Sequence, residues 1–321
     1  MLRKLKKLFV GELFGIIIIL TVIITVLAIF GEGFLSSYNL KNLLKTIAIT
    51  ILVGLSQLAV LSIGHLNLAL GAMGCLAGMF TGYLLQSYDL PLLFVLLGGL
   101  IVGGLAGFIQ GVFIVKTQIN AFIVTLSFVS IYMGVVTGIT KGEVFTKQPE
   151  QFQMIDKRIL FSGLPLLLVI SCGVAIILSI FLFGTVFGRK LLSTGANIKA
   201  AAFAGINTTL IVIAAHVMSG ILAGAAGIMQ ISRLGAATPT IGSDWLLISF
   251  AAPILGGTIL SGGKVSVFGT ILGAAMMSII VNGLFLLDVS QYWFQSFIGG
   301  ILLVSYGIDK LRRGYMLQNQ S

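Results

Sequence analysis

The stretch Gly188–Ile206, GRKLLSTGANIKAAAFAGI, is a short basic interval between two long apolar runs. It carries Arg189, Lys190 and Lys199 and no acid, which marks it as a cytoplasmic loop of a membrane protein, where Lys and Arg collect beside the spans. Ala200, Ala201 and Ala202 favour a short helix, and Gly195 lets the backbone turn just before it. A short helix lying on a membrane face is a surface on which another protein can push. The competing reading is an ordinary connecting loop.

Composition supports the membrane placement. Of 321 residues, 58% are hydrophobic and only 9% charged, and the mean hydropathy is +1.13. Too few polar residues exist to cover a water-soluble globule, so the chain reads as an integral membrane protein. The net charge of +10 sits in short clusters beside apolar runs. Topology and anionic membrane lipid explain such clusters, and no nucleic-acid partner is expected. Cys75 and Cys172 both lie inside apolar runs and read as small packing residues, with no metal site implied.

Apolar runs at about 164–187 and 209–231 flank the basic stretch. Towards the N-terminus, spans are expected at about 9–30, 46–63, 66–85, 91–115 and 119–139. Arg3, Lys4, Lys6 and Lys7 hold the start inside, and the first run reads as a retained span rather than a signal peptide. An external loop is expected at 141–161, where acidic and basic residues mix. Beyond the basic stretch, an outer loop with Arg233, Pro239 and Asp244 leads to a short run, 245–260, broken by Pro253 and by Gly256-Gly257. That run ends at an inside turn, Ser261-Gly262-Gly263-Lys264; spans at about 265–287 and 292–308 follow, before Lys310, Arg312 and Arg313. The expectation is an all-α polytopic bundle, one transmembrane domain over 1–321, with about ten spans and both termini cytoplasmic; a re-entrant 245–260 lowers the count to eight or nine.

Two patterns stand out inside the apolar runs. Gly64-His65-Leu66-Asn67 is a polar break at membrane depth, tolerated only where backbone is buried in protein or lines a wet cavity. Glycines recur at helix-face spacing, as in Gly71, Gly74, Gly78 and Gly82, or Gly103, Gly107 and Gly111, or Gly220, Gly224 and Gly227, which lets helix backbones approach closely. Gly64, Gly71, Gly256, Gly257, Gly262 and Gly263 are expected to be structural. Gln57, His65, Asn67, Asn120 and Asn282 are the polar candidates for a solute path, and interhelical hydrogen bonding is the alternative for each.

Enzymatic chemistry is not in view. GGTILSGGKV lacks the glycine a phosphate loop needs, since Thr258 stands five residues before Gly263, and Lys264 is followed by Val265. His65 and His216 are the only histidines, and no metalloprotease helix or nucleophile elbow appears. No acid sits in the middle of an expected span, whereas a proton- or sodium-coupled carrier needs a buried carboxylate or an equivalent relay. Uphill transport would therefore draw its energy from a partner acting on the basic stretch.

Gly188, Arg189, Gly195, Asn197, Ala200, Ala201, Gly205 and Ile206 meet a G-R, then G-x-N-x-x-A-A-x-x-x-G-I pattern. Asn120–Leu126 (NAFIVTL), Phe34–Leu44 (FLSSYNLKNLL), Leu255-Gly256-Gly257-Thr258, Gly262-Gly263 and Asn282-Gly283-Leu284 follow in matching order. With these, the chain resembles, over nearly its whole length, the permease subunit of ribose-type ABC importers, in the branched-chain amino acid/ribose permease superfamily. The resemblance implies a bacterial plasma (inner) membrane protein that is no enzyme and carries no cofactor, with ATP and Mg held by partner ATPase subunits. It implies a coupling helix formed by Arg189, Gly195, Asn197, Ala200, Ala201 and Gly205, a second permease copy or paralogue, and an external solute-binding protein. The implied solute is a ribose-like monosaccharide, with autoinducer-2, nucleoside and branched-chain amino acid uptake as alternatives. A stand-alone channel or secondary carrier is the rival from another class. Two departures are visible: Asn67 and Ala69 replace an aspartate and a serine of the family pattern, and Leu246-Leu247-Ile248 replaces a polar triplet. Lost carboxylates change what a path can hydrogen-bond, and a heterodimer of divergent permeases stays open.

Overall fold

A computed structural model describes residues 2–160, 163–300 and 303. Lys310, Arg312 and Arg313, the end of the last expected span, and the side chains of Arg3, Lys4, Lys6 and Lys7 lie outside the described residues. The chain is a multi-pass helical bundle. Its helices are α1 (Leu2–Phe30), α2 (Ser37–Leu61), α3 (Leu70–Ser87), α4 (Leu92–Thr117), α5 (Ala121–Thr140), α6 (Glu150–Lys157), α7 (Leu166–Gly184), α8 (Val186–Ala196), α9 (Ile198–Phe203), α10 (Thr208–Leu234), α11 (Trp245–Leu255) and α12 (Val267–Leu286). Two residues each of β1 (Ile159–Leu160) and β2 (Leu164–Pro165) form a small hairpin ahead of α7. Among the described residues, six helices are long and apolar enough to cross a membrane, namely α2, α4, α5, α7, α10 and α12.

The helix ends follow from capping chemistry. Ser36, Asn120, Thr185, Asn197, Asn207 and Ser266 each accept a backbone N–H of the helix they precede, satisfying donors that have no intrahelical partner. Gln118 and Gly235 close α4 and α10 in the left-handed region.

Helix α2 is the axis of the bundle. It is buried from Ile47 to Leu61, predominantly apolar with Thr50, Ser56 and Gln57 among its buried residues, as expected of a helix with no solvent or lipid face. α10 lies beside it, and glycines set the spacing between α10 and its neighbours. Gly103 on α4 and Gly220 on α10 face each other so closely that a Cβ on either would strike the other's carbonyl oxygen, and a Cβ on Gly227 would strike the carbonyl of Gly74 on α3. Without a hydrophobic drive between helices in lipid, such backbone-to-backbone approach supplies the packing. The outward faces of α4, α5 and α7 carry Leu93, Ile101, Ile123, Ile177 and Ile180, all exposed on the isolated chain, the surface a bilayer would cover.

The two ends of the bundle differ. At one end, α6 is tied to α2 by the Lys45–Asp156 ion pair at 2.6 Å and to α10 by Ser232 Oγ donating to the Phe152 carbonyl at 2.9 Å. A bridge between Phe145 and Ala237 adds a third tie there. The described part of the expected loop, 141–160, is therefore a folded cap containing a helix. At the opposite end lie α8, α9, the end of α2 and the turn Ser261-Gly262-Gly263.

Four expectations need correction. The third expected span, from Leu66, starts as a helix only at Leu70, because Asn67 folds back on its own chain: its Oδ1 accepts the Ala69 N–H at 3.0 Å. Gly195 does not make a turn. It lies within α8, and the change of direction falls at Asn197, which caps α9. The sixth expected span also ends early, at Gly184, where Thr185 caps a separate helix.

Asp244 is displaced as well. The chain after α10 does not stay at the α6 end but runs back along α3. Ala237 meets Gly82, the Pro239 carbonyl accepts from Cys75 Sγ at 3.3 Å, and Gly242 presses on Gly71. Trp245 then stacks against Gly74, whose other neighbour is Ala223, near the middle of α10. Asp244 is therefore half-way down the bundle rather than in an outer loop. α11 begins at that depth, and its 11 residues cover about 16 Å, roughly half of a hydrocarbon core.

Candidate functional site

The first part of the site is a knot of three backbones at the α8–α9 end. A Cβ on Gly195 would collide with the Ser62 carbonyl at the end of α2 and lie 2.6 Å from the Gly263 nitrogen. That nitrogen donates to the same Ser62 carbonyl at 3.1 Å. Gly64, at φ +74, packs on the Ser261 carbonyl, and Gly262, at φ +87, packs on Gly64. Gly263, at φ +78, packs on Ala196. The glycines serve here because the left-handed backbone and the absent Cβ are both required. Gly256 packs against the carbonyl of Gly269, Gly257 turns at φ +83, and together they carry the chain from α11 into this turn.

From the knot projects α9. Asn197 Oδ1 accepts the Ala200 N–H at 3.0 Å, Ala201 is buried, and Ala200 is exposed. Gly205, at φ +78 with open space around it, ends the helix. Arg189 is exposed on α8, with Nη1 donating to the Gly184 carbonyl at 3.4 Å. Phe203 was not singled out by sequence reasoning, yet it is 93% exposed and Ile198 49% exposed. An aromatic ring left on the surface of a six-residue helix is the kind of anchor that dominates protein interfaces.

The second part is a polar core above the knot. The side-chain amide of Gln57, oriented to satisfy both its ends, donates to the Asn67 carbonyl at 3.0 Å and accepts the Asn67 N–H at 3.2 Å. Asn67 Nδ2 donates to Ser219 Oγ at 3.0 Å, and Asn67 Oδ1 accepts from Gln110 Nε2 at 3.2 Å. Ser56 donates to the Ser219 carbonyl at 2.8 Å. One asparagine thus joins α2, α4 and α10 and sets the polar break in register. Asn67→Ala is expected to destabilise the bundle by about 1–3 kcal/mol for each buried polar group it strands. Thermal unfolding in detergent reads this as a lower midpoint, and an unchanged midpoint would contradict the role.

Asn282 stands apart, at the α6 end, in a reciprocal amide pair with Asn39 at 2.9 and 3.1 Å. His65 and Asn120 come together instead. Both line a cavity of about 650 Å³ between the α4–α5 turn, the 64–66 break, Ile198 of α9 and Thr208 and Thr209 of α10. His65 Nδ1 lies 3.4 Å from Nε2 of His216, which is buried with its Nδ1 unpartnered. The structure therefore divides the five polar candidates into a buried knot (Gln57, Asn67), a cavity wall (His65, Asn120) and a distant clamp (Asn282). Ser219 and Gln110 were missed, since only the packing of α4 and α10 reveals their partners, and His216, noted in the sequence as one of two histidines, meets His65 only in the fold. Among the described residues, no group of three or more His, Cys, Asp or Glu could hold a metal ion.

A family model described as the branched-chain amino acid transport system / permease component matches residues 39–306. The D-allose transport system permease protein AlsC of Escherichia coli K12 is 30% identical over 303 residues, covering 93% of this chain and 91% of that protein. The ribose import permease protein RbsC of Bacillus subtilis is 32% identical over 293 residues, covering 91% and 90%. The fructose import permease protein FrcC of Rhizobium meliloti is 27% identical over 294 residues, covering 88% and 80%. No solved structure matches the chain.

Proposed function

Because the chain belongs to the family of branched-chain amino acid transport system permease components, and is thus a multi-pass protein of the bacterial inner membrane, we propose that it is the membrane subunit of an ATP-driven importer for a ribose-like monosaccharide. The α8–α9 end faces the cytoplasm, and the α6 end faces an external binding protein that delivers the sugar. The chain crosses the membrane about ten times, with the segments at 62–69 and 235–244 completing two crossings that helices α3 and α11 leave short. A separate ATPase, with its ATP and Mg, docks on α9. Phe203, 93% exposed at the tip of α9, directly after the α8 residues that knot into the end of α2 and the turn between α11 and α12, is the observation that carries this reading. Force applied there reaches two transmembrane elements through rigid backbone contacts. Relatives named for ribose, D-allose, L-arabinose and fructose support a sugar as the solute.

A second copy, or a paralogue, encloses the path with this chain. Ser243 and Asp244 are exposed at a depth close to the membrane midplane, and a carboxylate there cannot face hydrocarbon at tolerable cost. That face is covered by the second subunit or by path water, and the carboxylate accepts hydroxyl hydrogen bonds from the passing sugar. Asp244→Asn is expected to lower sugar uptake about tenfold, the scale of one hydrogen bond to a charged group, without weakening ATPase binding. Unchanged uptake would remove Asp244 from the path.

The test of the solute is ATP-dependent uptake of labelled D-ribose by vesicles carrying the assembled transporter, with D-allose, L-arabinose and D-fructose as competitors. Competition within this group is expected. Uptake of none of the four, with uptake of a branched-chain amino acid instead, would overturn the sugar reading.

A further inference from the structure

The cavity beneath α9 is lined by residues of this chain, and the lining has a definite chemical character. Its volume of about 650 Å³ falls in the roughly 300–1,000 Å³ range of small-molecule sites. No Lys, Arg, Asp or Glu lines it. Its polar groups are His65, Gln118, Asn120, Thr208 and Thr209. Asn120 Oδ1 is occupied by the Phe122 N–H at 2.9 Å, which leaves Nδ2 to donate. The Gln118 amide and the hydroxyls of Thr208 and Thr209 have no protein partner among the described residues. Uncharged donors and acceptors around an apolar floor of Ile114 and Val212 match an uncharged polyhydroxylated molecule, whose hydroxyls both give and accept while its C–H faces lie on the apolar wall.

The walls are also the elements that must move. Ile198 is the first residue of α9, Thr208 and Thr209 open α10, and Gly64–Leu66 is the break that Gly262 clamps beside Gly195. Displacement of α9 therefore moves at least two walls against the α4–α5 turn. A molecule bridging them is held best in one arrangement only, and so biases α9 towards that arrangement.

Building on the sugar-importer reading, we propose that this cavity is a cytoplasmic-side binding site for the neutral sugar, and that its occupancy holds α9 in place and slows the ATPase. The site lets sugar already inside the cell restrain further import. Linkage makes the binding equilibria reciprocal: if docking of the partner displaces α9 and lowers affinity for the sugar, bound sugar weakens docking by the same factor.

Proteoliposomes with the ATPases outward, sugar-loaded binding protein inside and ATP outside test the proposal, because the external solution then bathes the cytoplasmic face. Millimolar D-ribose added outside is expected to lower ATP turnover about fivefold or more. The Thr208→Val/Thr209→Val double variant keeps the uninhibited turnover and loses the inhibition. Gln118→Asn, which draws the amide back while keeping a residue tolerant of the φ of +56 found there, weakens the inhibition independently, should the double variant insert poorly. If wild-type vesicles move ribose outward yet turn over ATP at the same rate in external ribose, the site is overturned. Equal inhibition of both variants overturns it as well. If none of the four sugars is moved, the sugar reading itself has failed, and with it the ligand class assigned here.

Discussion

Phe203→Asp removes ATP-dependent uptake while the chain still inserts and unfolds at the wild-type temperature. Phe203 is 93% exposed, so the folded chain loses almost no packing when the ring goes. The docked complex loses a buried aromatic and gains a desolvated carboxylate. An anchor of this kind is worth about 2–4 kcal/mol, which is roughly a 30- to 1,000-fold loss of ATPase affinity. Co-purification of the ATPase with the variant, together with uptake in vesicles, checks the result. Wild-type co-purification would mean that α9 is an ordinary loop. Ile198→Asp is expected to fail in the same manner but less completely, since Ile198 is only half exposed and shares a wall with the inner cavity.

Gly195→Val gives the second large loss, by a different route. Its Cβ would enter space held by the Ser62 carbonyl and the Gly263 nitrogen, both backbone atoms that cannot swing aside as a side chain can. Overpacking of this kind costs about 1–3 kcal/mol and more where nothing yields. The variant therefore loses both thermal stability and uptake, whereas Phe203→Asp loses uptake alone. Gly195→Ala meets the same obstruction at the same atom, so it should already show most of the effect. Gly205→Ala is the control. That glycine has open space around it and needs only its φ of +78, a penalty of about 1–2 kcal/mol confined to the helix end. A Gly195→Val protein with normal stability and uptake would show that the knot does not transmit force.

The comparison of these two glycines shows what a sequence can and cannot disclose here. Both fall in one short motif, and both are readable as backbone-special positions. Only the fold shows that Gly205 is required for its torsion and Gly195 for a contact with a residue 133 positions earlier in the chain. Apolar runs located the long helices well, because a span must be about 20 residues of apolar surface. The short, broken run Trp245–Leu260 does hold the 11-residue α11, which stops at Gly256. Nothing local, however, says that Gly242 will press on Gly71 and carry Asp244 half-way down the bundle. In the proposed orientation that position puts a carboxylate at membrane depth, where none was expected. Gln57 and Asn67 were visible as polar residues in apolar surroundings, but their mutual pairing depends on α2 and the break folding together. His65 and Asn120 share a cavity for the same reason, since the α4–α5 turn and the break meet only in the tertiary structure.

The corrected position of Asp244 sharpens the energetic question. A carboxylate near the midplane is what an ion-coupled carrier would need, so the dependence on an ATPase must be measured rather than argued from missing acids. The purified chain, reconstituted alone and again with its ATPase and external binding protein, is given D-ribose under proton, sodium and ATP driving forces in turn. Concentrative uptake only in the complete system and only with ATP is the expected result; uptake against a gradient by the chain alone, driven by either ion, would contradict it.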